Sequence, residues 1–497
     1  MGHHKTFNDD THIPQPVLKR AQLIAVVCAV LGLGSSFAGY MSSHDTHVVD
    51  KAHADTPAEA PKADTAKTEA APAEASKAEA APAESPKVNA AKAAAIEATP
   101  AQAAAVEAAS HKAEAGHDAS ASAHEAGAGH GGGHAAPSIK KQFFFSWLTA
   151  FFFFTTLCLG GLFFTILHHL VRASWSTGLR RVAENMAMNI PIMAVCALVL
   201  TLGFGDLYHW STTPLAEDPI LEAKASYLNI GSFTTRSVIF FVIWILMALF
   251  FRGQSIKQDQ SKTTEEAESY NFKMRKWAPL GMLTFALSLT FFAFDWLMSL
   301  DHHWFSTMFG VYIFAGTVVS LFATLIVVML WFNANGILKK TITIGNFHDA
   351  GKLLFGFIVF WTYITFCQYY LIWYANIPEE IGWYMLRAQG GWENIGLLIA
   401  VGHFILPFWV IMSRHTKRNL TVLGTAAVWM LLMHFVDLYF VVMPTLHHHL
   451  HFHWMDVSAF VGIGGLFVLG FTYWSGKDAI IAHRDPQLVA SMEYDNA

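Results

Sequence analysis

The chain has 497 residues, 54% hydrophobic and 14% aromatic, with a net charge of −5. Only 14% of residues are charged, against about 25% in a soluble globular protein. These values exclude an ordinary soluble enzyme and a nucleic-acid binder built on a basic stripe. Repeated apolar runs of roughly 20 residues predict an all-α integral membrane protein. The runs are too long and too uniformly apolar for the alternating segments, about 10 residues each, of a transmembrane β-barrel.

Residues 1–20 read as a cytoplasmic N-terminus, and residues 21–41 as an N-terminal transmembrane anchor preceded by Lys19 and Arg20. The small residues SSFAGY at the end of this run leave a cleaved signal sequence as the alternative. Residues 42–141 are rich in Ala, Glu, Lys and Pro and almost free of aromatic or branched apolar residues. Such a segment cannot bury enough surface to offset its ordering entropy, so a disordered periplasmic linker is expected. Its scattered histidines, among them His124, His130 and His134, read as solvated linker positions.

Residues 142–475 form a polytopic membrane domain in this reading, and 476–497 a cytoplasmic tail. Nine apolar runs lie there, at roughly 143–171, 188–208, 229–251, 277–299, 306–332, 352–374, 392–413, 420–443 and 456–474. With the anchor they make about ten transmembrane helices. Four cysteines, Cys28, Cys158, Cys196 and Cys367, lie inside these runs without a CxxC or CxxCH motif. They read as small buried hydrophobes, so iron–sulfur clusters and c haems belong on partner subunits.

Lys and Arg concentrate in alternate loops, 172–187, 252–276, 333–352 and 414–419, while the intervening loops carry Lys224 and Arg387. The positive-inside rule then puts both termini in the cytoplasm of a multi-pass protein. Ionisable residues within the spans are functional candidates, because charge in a bilayer is costly. Asp206, His209, Arg236, Asp295, Glu393 and Asp437 fall near the outer ends, and His403 and His434 lie deeper. His434 and Asp437 are three residues apart and share a helix face. Near the inner ends lie His168, His169, Glu184, His348 and Asp349.

The carboxylates and imidazoles suit a proton path. Its outer half would be Asp295, His403, His434, Asp437, Asp206 and Glu393. Its inner half would be His168, His169, Glu184 and Asp349. Arg236 reads as a structural charge that pairs with an outer carboxylate. His403 and His434 at matched depth also allow a b-type haem. The aromatic seventh span offers Tyr363, Gln368 and Tyr369 as a candidate quinone pocket, beside the plainer reading of an interfacial belt. The loop TLHHHLHFHW, with His302 and His303, makes one face rich in imidazole. Partner docking or proton buffering is expected there, and no metal is assigned.

Several stretches resemble one family in order and content: HHLVRASWSTGLRRVAE (168–184), DWLMSLDHHWFSTMFGVY (295–312), HDAGKLLFGFIVFWTYITFCQYYLIWYANIPEE (348–380), HFILPFWVIMSRHTKR (403–418) and HFVDLYFVVMP (434–444). They are similar to the ActF-type membrane subunit of bacterial alternative complex III, a quinol:electron-acceptor oxidoreductase. That subunit is related to the NrfD-like membrane subunits of polysulfide reductases. The resemblance covers about residues 142–475. It implies two four-helix bundles with peripheral helices, and a place in the respiratory chain of a bacterial inner membrane. It also implies partners: a sister NrfD-like membrane subunit, an iron–sulfur/molybdopterin-like subunit and multihaem cytochrome c subunits. Menaquinol or ubiquinol would be the electron donor, with quinol binding on this chain left open and no haem of its own. One departure is His302, which stands where the family pattern usually has proline.

Overall fold

The computed structural model describes residues 11–52 and 138–493. Of the expected linker at 42–141, residues 53–137 lie outside the described residues, as does the end of the expected C-terminal tail, while the linker's two ends are helical, in Gln15–Ala52 and Ile139–Val171. Ten helices are long and apolar enough to cross a bilayer. They are α1 (Gln15–Ser42), α2 (Ile139–Val171), α3 (Ser174–Thr201), α4 (Ile230–Asp259) and α5 (Thr264–Leu300), then α6 (Phe309–Ala334), α7 (Ile344–Ala375), α8 (Trp392–Met412), α9 (Leu420–Thr445) and α10 (Trp454–Lys477). Among the described residues there is no strand. A helix satisfies its own backbone, which is what hydrocarbon demands of a spanning segment.

Side chains fix the helix starts. Asn229 Oδ1 accepts the Ser232 N–H at 2.8 Å to open α4, and Asn419 Oδ1 accepts from Thr421 and Val422 to open α9. Thr343 with Asn346, and His453 with Asp456, form reciprocal caps at α7 and α10.

Helices α2–α5 pack as one four-helix bundle and α6–α9 as a second, with α2 seated between them and buried along nearly its whole length. α1 and α10 form an antiparallel pair against α2. Gly32 makes that pair close: a Cβ there would sit 2.2 Å from the Gly462 backbone nitrogen. Ser36 and Ser458 share a hydroxyl hydrogen bond of 2.8 Å across the same seam. Small residues of this kind let helices approach closely where no hydrophobic drive separates protein from lipid.

Several segments expected as loops are helical. The stretch 252–276 is mostly the continuation of α4 and α5, broken only near 260–263. Hydropathy marks the apolar part of a helix, whereas Lys, Glu, Gln and Arg beyond it are good helix formers. The stretch 172–187 contains the helix Thr177–Ala187, whose residues are all buried, including Arg180 and Arg181. Conversely, the third span ends at Thr201, so Asp206 and His209 lie on short turns beyond it.

Candidate functional site

The second bundle encloses a polar cluster at mid-depth. α8 is not a uniform α-helix. Residues Ala400–Ile405 form a π-helical segment just before Pro407. Proline lacks an N–H and crowds the carbonyl one turn back, so the chain there adopts wider hydrogen bonding. His403 lies inside that segment and is fully buried. Its ring stacks on Trp361 of α7 with centroids 3.7 Å apart, and it lies within electrostatic reach of His434.

His434 and Asp437 project from α9 into the same interior, with exposures of 2% and 3%. His434 Nε2 meets the Thr156 hydroxyl of α2 at 2.9 Å. The Tyr312 hydroxyl of α6 donates a short hydrogen bond to Asp437 Oδ1. Gly316 makes room for the imidazole: a Cβ there would lie 3.1 Å from His434 Cε1. Neither ring nitrogen of His403, nor His434 Nδ1, has a hydrogen-bond partner among the described residues. Buried polar atoms are nearly always paired, so each exception asks for an explanation. A carboxyl, a phenol and two imidazoles gathered from α6, α8 and α9 can accept and release protons.

The other residues of the expected outer set sit apart from this cluster. Asp295 is fully buried in the first bundle, where Arg236 Nε and Nη2 donate to its two oxygens at 2.8 and 2.9 Å. The Arg236 guanidinium also lies over the Tyr227 ring at 3.8 Å. Protonating Asp295 would leave that guanidinium without its anion, which makes the pair structural. Asp206 pairs with Lys140 at 2.8 Å. Glu393 is exposed and accepts the Gly391 N–H at 2.8 Å, a local cap at the start of α8.

The inner set divides between the bundles. Glu184 lies between two guanidiniums, 3.1 Å from Arg180 Nε and 3.0 Å from Arg181 Nε. Arg180 also pairs with Asp485, and Arg181 pairs with Asp259 at 2.7 Å. Arg252 pairs with Asp478 at 2.9 Å. This network ties α3 and α4 to the segment after α10, so Glu184 serves as a buried structural anion. His168 Nδ1 meets the Ser176 hydroxyl at 2.7 Å, and His169 packs edge-on against His168. Asp349 belongs to the second bundle and pairs with Lys352 at 2.7 Å, beside the buried His348.

The three candidate quinone residues do not converge. Tyr363 and Tyr369 point outward, at 61% and 45% exposure, while Gln368 is buried and bonds Tyr384 and Ser306. A groove of about 720 Å³ opens elsewhere, between α6 and α9.

Tyr312, Trp361 and Thr156 escaped the sequence reading, because in an apolar helix they look like ordinary packing residues. Arg387, counted there only as a loop charge, is buried. It donates to the carbonyls of Trp383, Phe440 and Val441 with its guanidinium 3.4 Å above the Trp383 ring. Asp456 was also missed: its carboxylate accepts from Ser146 at 2.5 Å and Gln142 at 3.1 Å. Gln142 in turn bonds His447 at 2.6 Å. Burial, with His451 and His453 nearby, lowers the His447 imidazole to about 4.

The fold and its buried polar interior define a multi-pass α-helical membrane protein. Comparison with family models and with curated proteins finds no match to the chain.

Proposed function

We propose that the chain is an integral membrane subunit of a bacterial quinol:electron-acceptor oxidoreductase of the alternative complex III kind, and that it provides a transmembrane proton path. The observation that carries the path is the cluster of Tyr312, His403, His434 and Asp437, with three buried imidazole nitrogens that have no hydrogen-bond partner among the described residues. The resemblance of residues 142–475 supports the choice of complex.

In this reading Asp437 exchanges a proton with the adjoining Tyr312 hydroxyl and, one helical turn away, with His434. The next station is His403, whose two nitrogens have no hydrogen-bond partner among the described residues. The buried pair His168 and His169 lies at the opposite, arginine-rich end and serves the inner half-path. Asp295, Glu184, Asp206 and Glu393 hold the frame. Quinol oxidation on the sister subunit, or in a pocket of this chain, supplies the drive. Iron–sulfur clusters and c haems sit on the other partners. The Lys- and Arg-rich loops support cytoplasmic termini in a bacterial inner membrane, and the tight α1–α10 seam supports a retained anchor. A haem held by His403 and His434 is disfavoured, because Trp361 covers one ring and Thr156 occupies Nε2 of the other.

The test uses the intact complex in proteoliposomes. Asp437→Asn is expected to lower quinol-driven proton movement on the order of 10²-fold while every subunit still co-purifies. Unchanged proton movement with normal assembly would favour a purely structural subunit and overturn the proton path. Purification of the chain without cytochromes would overturn the assignment to this complex.

A further inference from the structure

At the histidine-rich end, far along the chain from the buried cluster, three side chains meet in a way the proton path does not use. Asp218 caps the short helix Pro219–Lys224, where its Oδ1 accepts the N–H groups of Ile220 and Leu221 at 3.0 and 3.1 Å. Those bonds fix the carboxylate and leave Oδ2 facing the segment after α5. There His302 Nε2 lies 2.7 Å from Oδ2, and His303 Nε2 lies 3.1 Å from the same oxygen. Two imidazole nitrogens thus converge on one carboxylate oxygen, from residues adjacent in sequence.

We propose that Asp218, His302 and His303 form a binding site for a divalent transition-metal ion, with Zn²⁺ the best fit. The ligand atoms all lie within 4.8 Å of one another. Zinc bound to nitrogen and oxygen at about 2.0–2.2 Å places tetrahedral ligands about 3.3 Å apart, so each imidazole nitrogen needs to draw away from the carboxylate oxygen by only a few tenths of an ångström. The donor set, two imidazoles and one carboxylate, suits Zn²⁺ and its late first-row neighbours rather than Mg²⁺ or Ca²⁺, which prefer all-oxygen sites.

The surroundings hold the ligands in place. Burial fixes the His302 ring, at 6% exposure. Lys224 Nζ donates to the His302 carbonyl at 2.6 Å, and Asp301 Oδ1 accepts the His303 N–H at 3.1 Å. The Lys224 ammonium opposes a cation, but its charge is shared with Asp301 and Asp218. His303 is exposed and leaves the fourth position open to water. Binding requires each imidazole to carry its proton on Nδ1 and offer the Nε2 lone pair. A bound ion would clamp the α3–α4 connection to the exit of α5.

The test titrates the chelator-treated full chain in detergent with Zn²⁺, and with Co²⁺ as a spectroscopic probe of tetrahedral coordination. The chain has other histidines, notably His447, His448, His449, His451 and His453, so the readout is a difference. His303→Ala and Asp218→Asn should each remove one tight equivalent and the tetrahedral Co²⁺ absorption. A variant with those five loop histidines replaced by Gln should keep both. His303 is exposed, so its loss should leave the metal-free melting temperature unchanged. Retention of the tight equivalent in His303→Ala, or its loss only in the loop variant, would overturn the proposal.

Discussion

The two bundles hold the carboxylates deepest in their interiors in opposite ways. In the first, Glu184 sits between Arg180 and Arg181, and Asp295 is gripped through both oxygens by Arg236. In the second, Asp437 meets the Tyr312 phenol and the Trp361 indole, and no ion pair to it occurs among the described residues. Buried Arg387, in the second bundle, is instead satisfied by backbone carbonyls. Paired ions resist a change of protonation, because losing one charge strands the other. An acid among neutral donors and acceptors has no such lock. In the proposed reading, this contrast separates framework from exchange site.

The sharpest way to break this comparison is Glu184→Ala, which leaves Arg180 and Arg181 buried without their shared anion. It should destabilise the fold by about 3–5 kcal/mol, read as loss of the monodisperse peak in detergent and a lower melting temperature. Arg236→Ala should cost less, about 2 kcal/mol, because the arginine is partly exposed and the value falls between those of buried and surface pairs. The double change Arg236→Met with Asp295→Leu should recover most of that loss. Asp437→Asn should alter stability by no more than about 1 kcal/mol, since the amide oxygen still accepts from Tyr312. A collapse on that substitution would erase the difference between the bundles.

The smallest expected effect is one of pH, at the histidine-rich end. His447 is lowered to about 4 by burial, then by His451 and His453, while the ordinary value is 6.5. Its neutral ring therefore contributes stability that is complete above the ordinary value. That contribution is lost as the pH falls toward 4. Protection factors in 445–453, taken against the intrinsic exchange rate at each pH, should fall between pH 7 and pH 5, and His447→Gln should flatten the change. Gln142, which bonds this ring, and Asp456, which Gln142 bonds in turn, are unaltered in that variant.

The ten spans were legible because twenty apolar residues are long enough to cross a bilayer and little else explains them. His434 with Asp437 was legible as a shared face. What was not legible depends on neighbours distant in sequence. Arg180 and Arg181 counted as loop charges, since nothing local announces that Asp485 and Asp259 will close over them. Arg236 was expected to pair with an outer carboxylate, but which one required the packing of α4 on α5. The depth of His403 assumed a regular helix, and only the structure reveals the wider turn at Ala400–Ile405.

That wider turn carries a consequence for helix phase. A π-helical segment holds one residue more than the α-helix it interrupts, so the turns on either side keep faces that a uniform helix would not align. Deleting one residue elsewhere in α8 would swing everything beyond it by about 100°. Deleting one within 400–405 would let the helix close into regular pitch with its flanks displaced least. The change would fall chiefly on the direction in which His403 points. The segment is therefore the one stretch of α8 where chain length can change while the lipid-facing surface stays nearly the same.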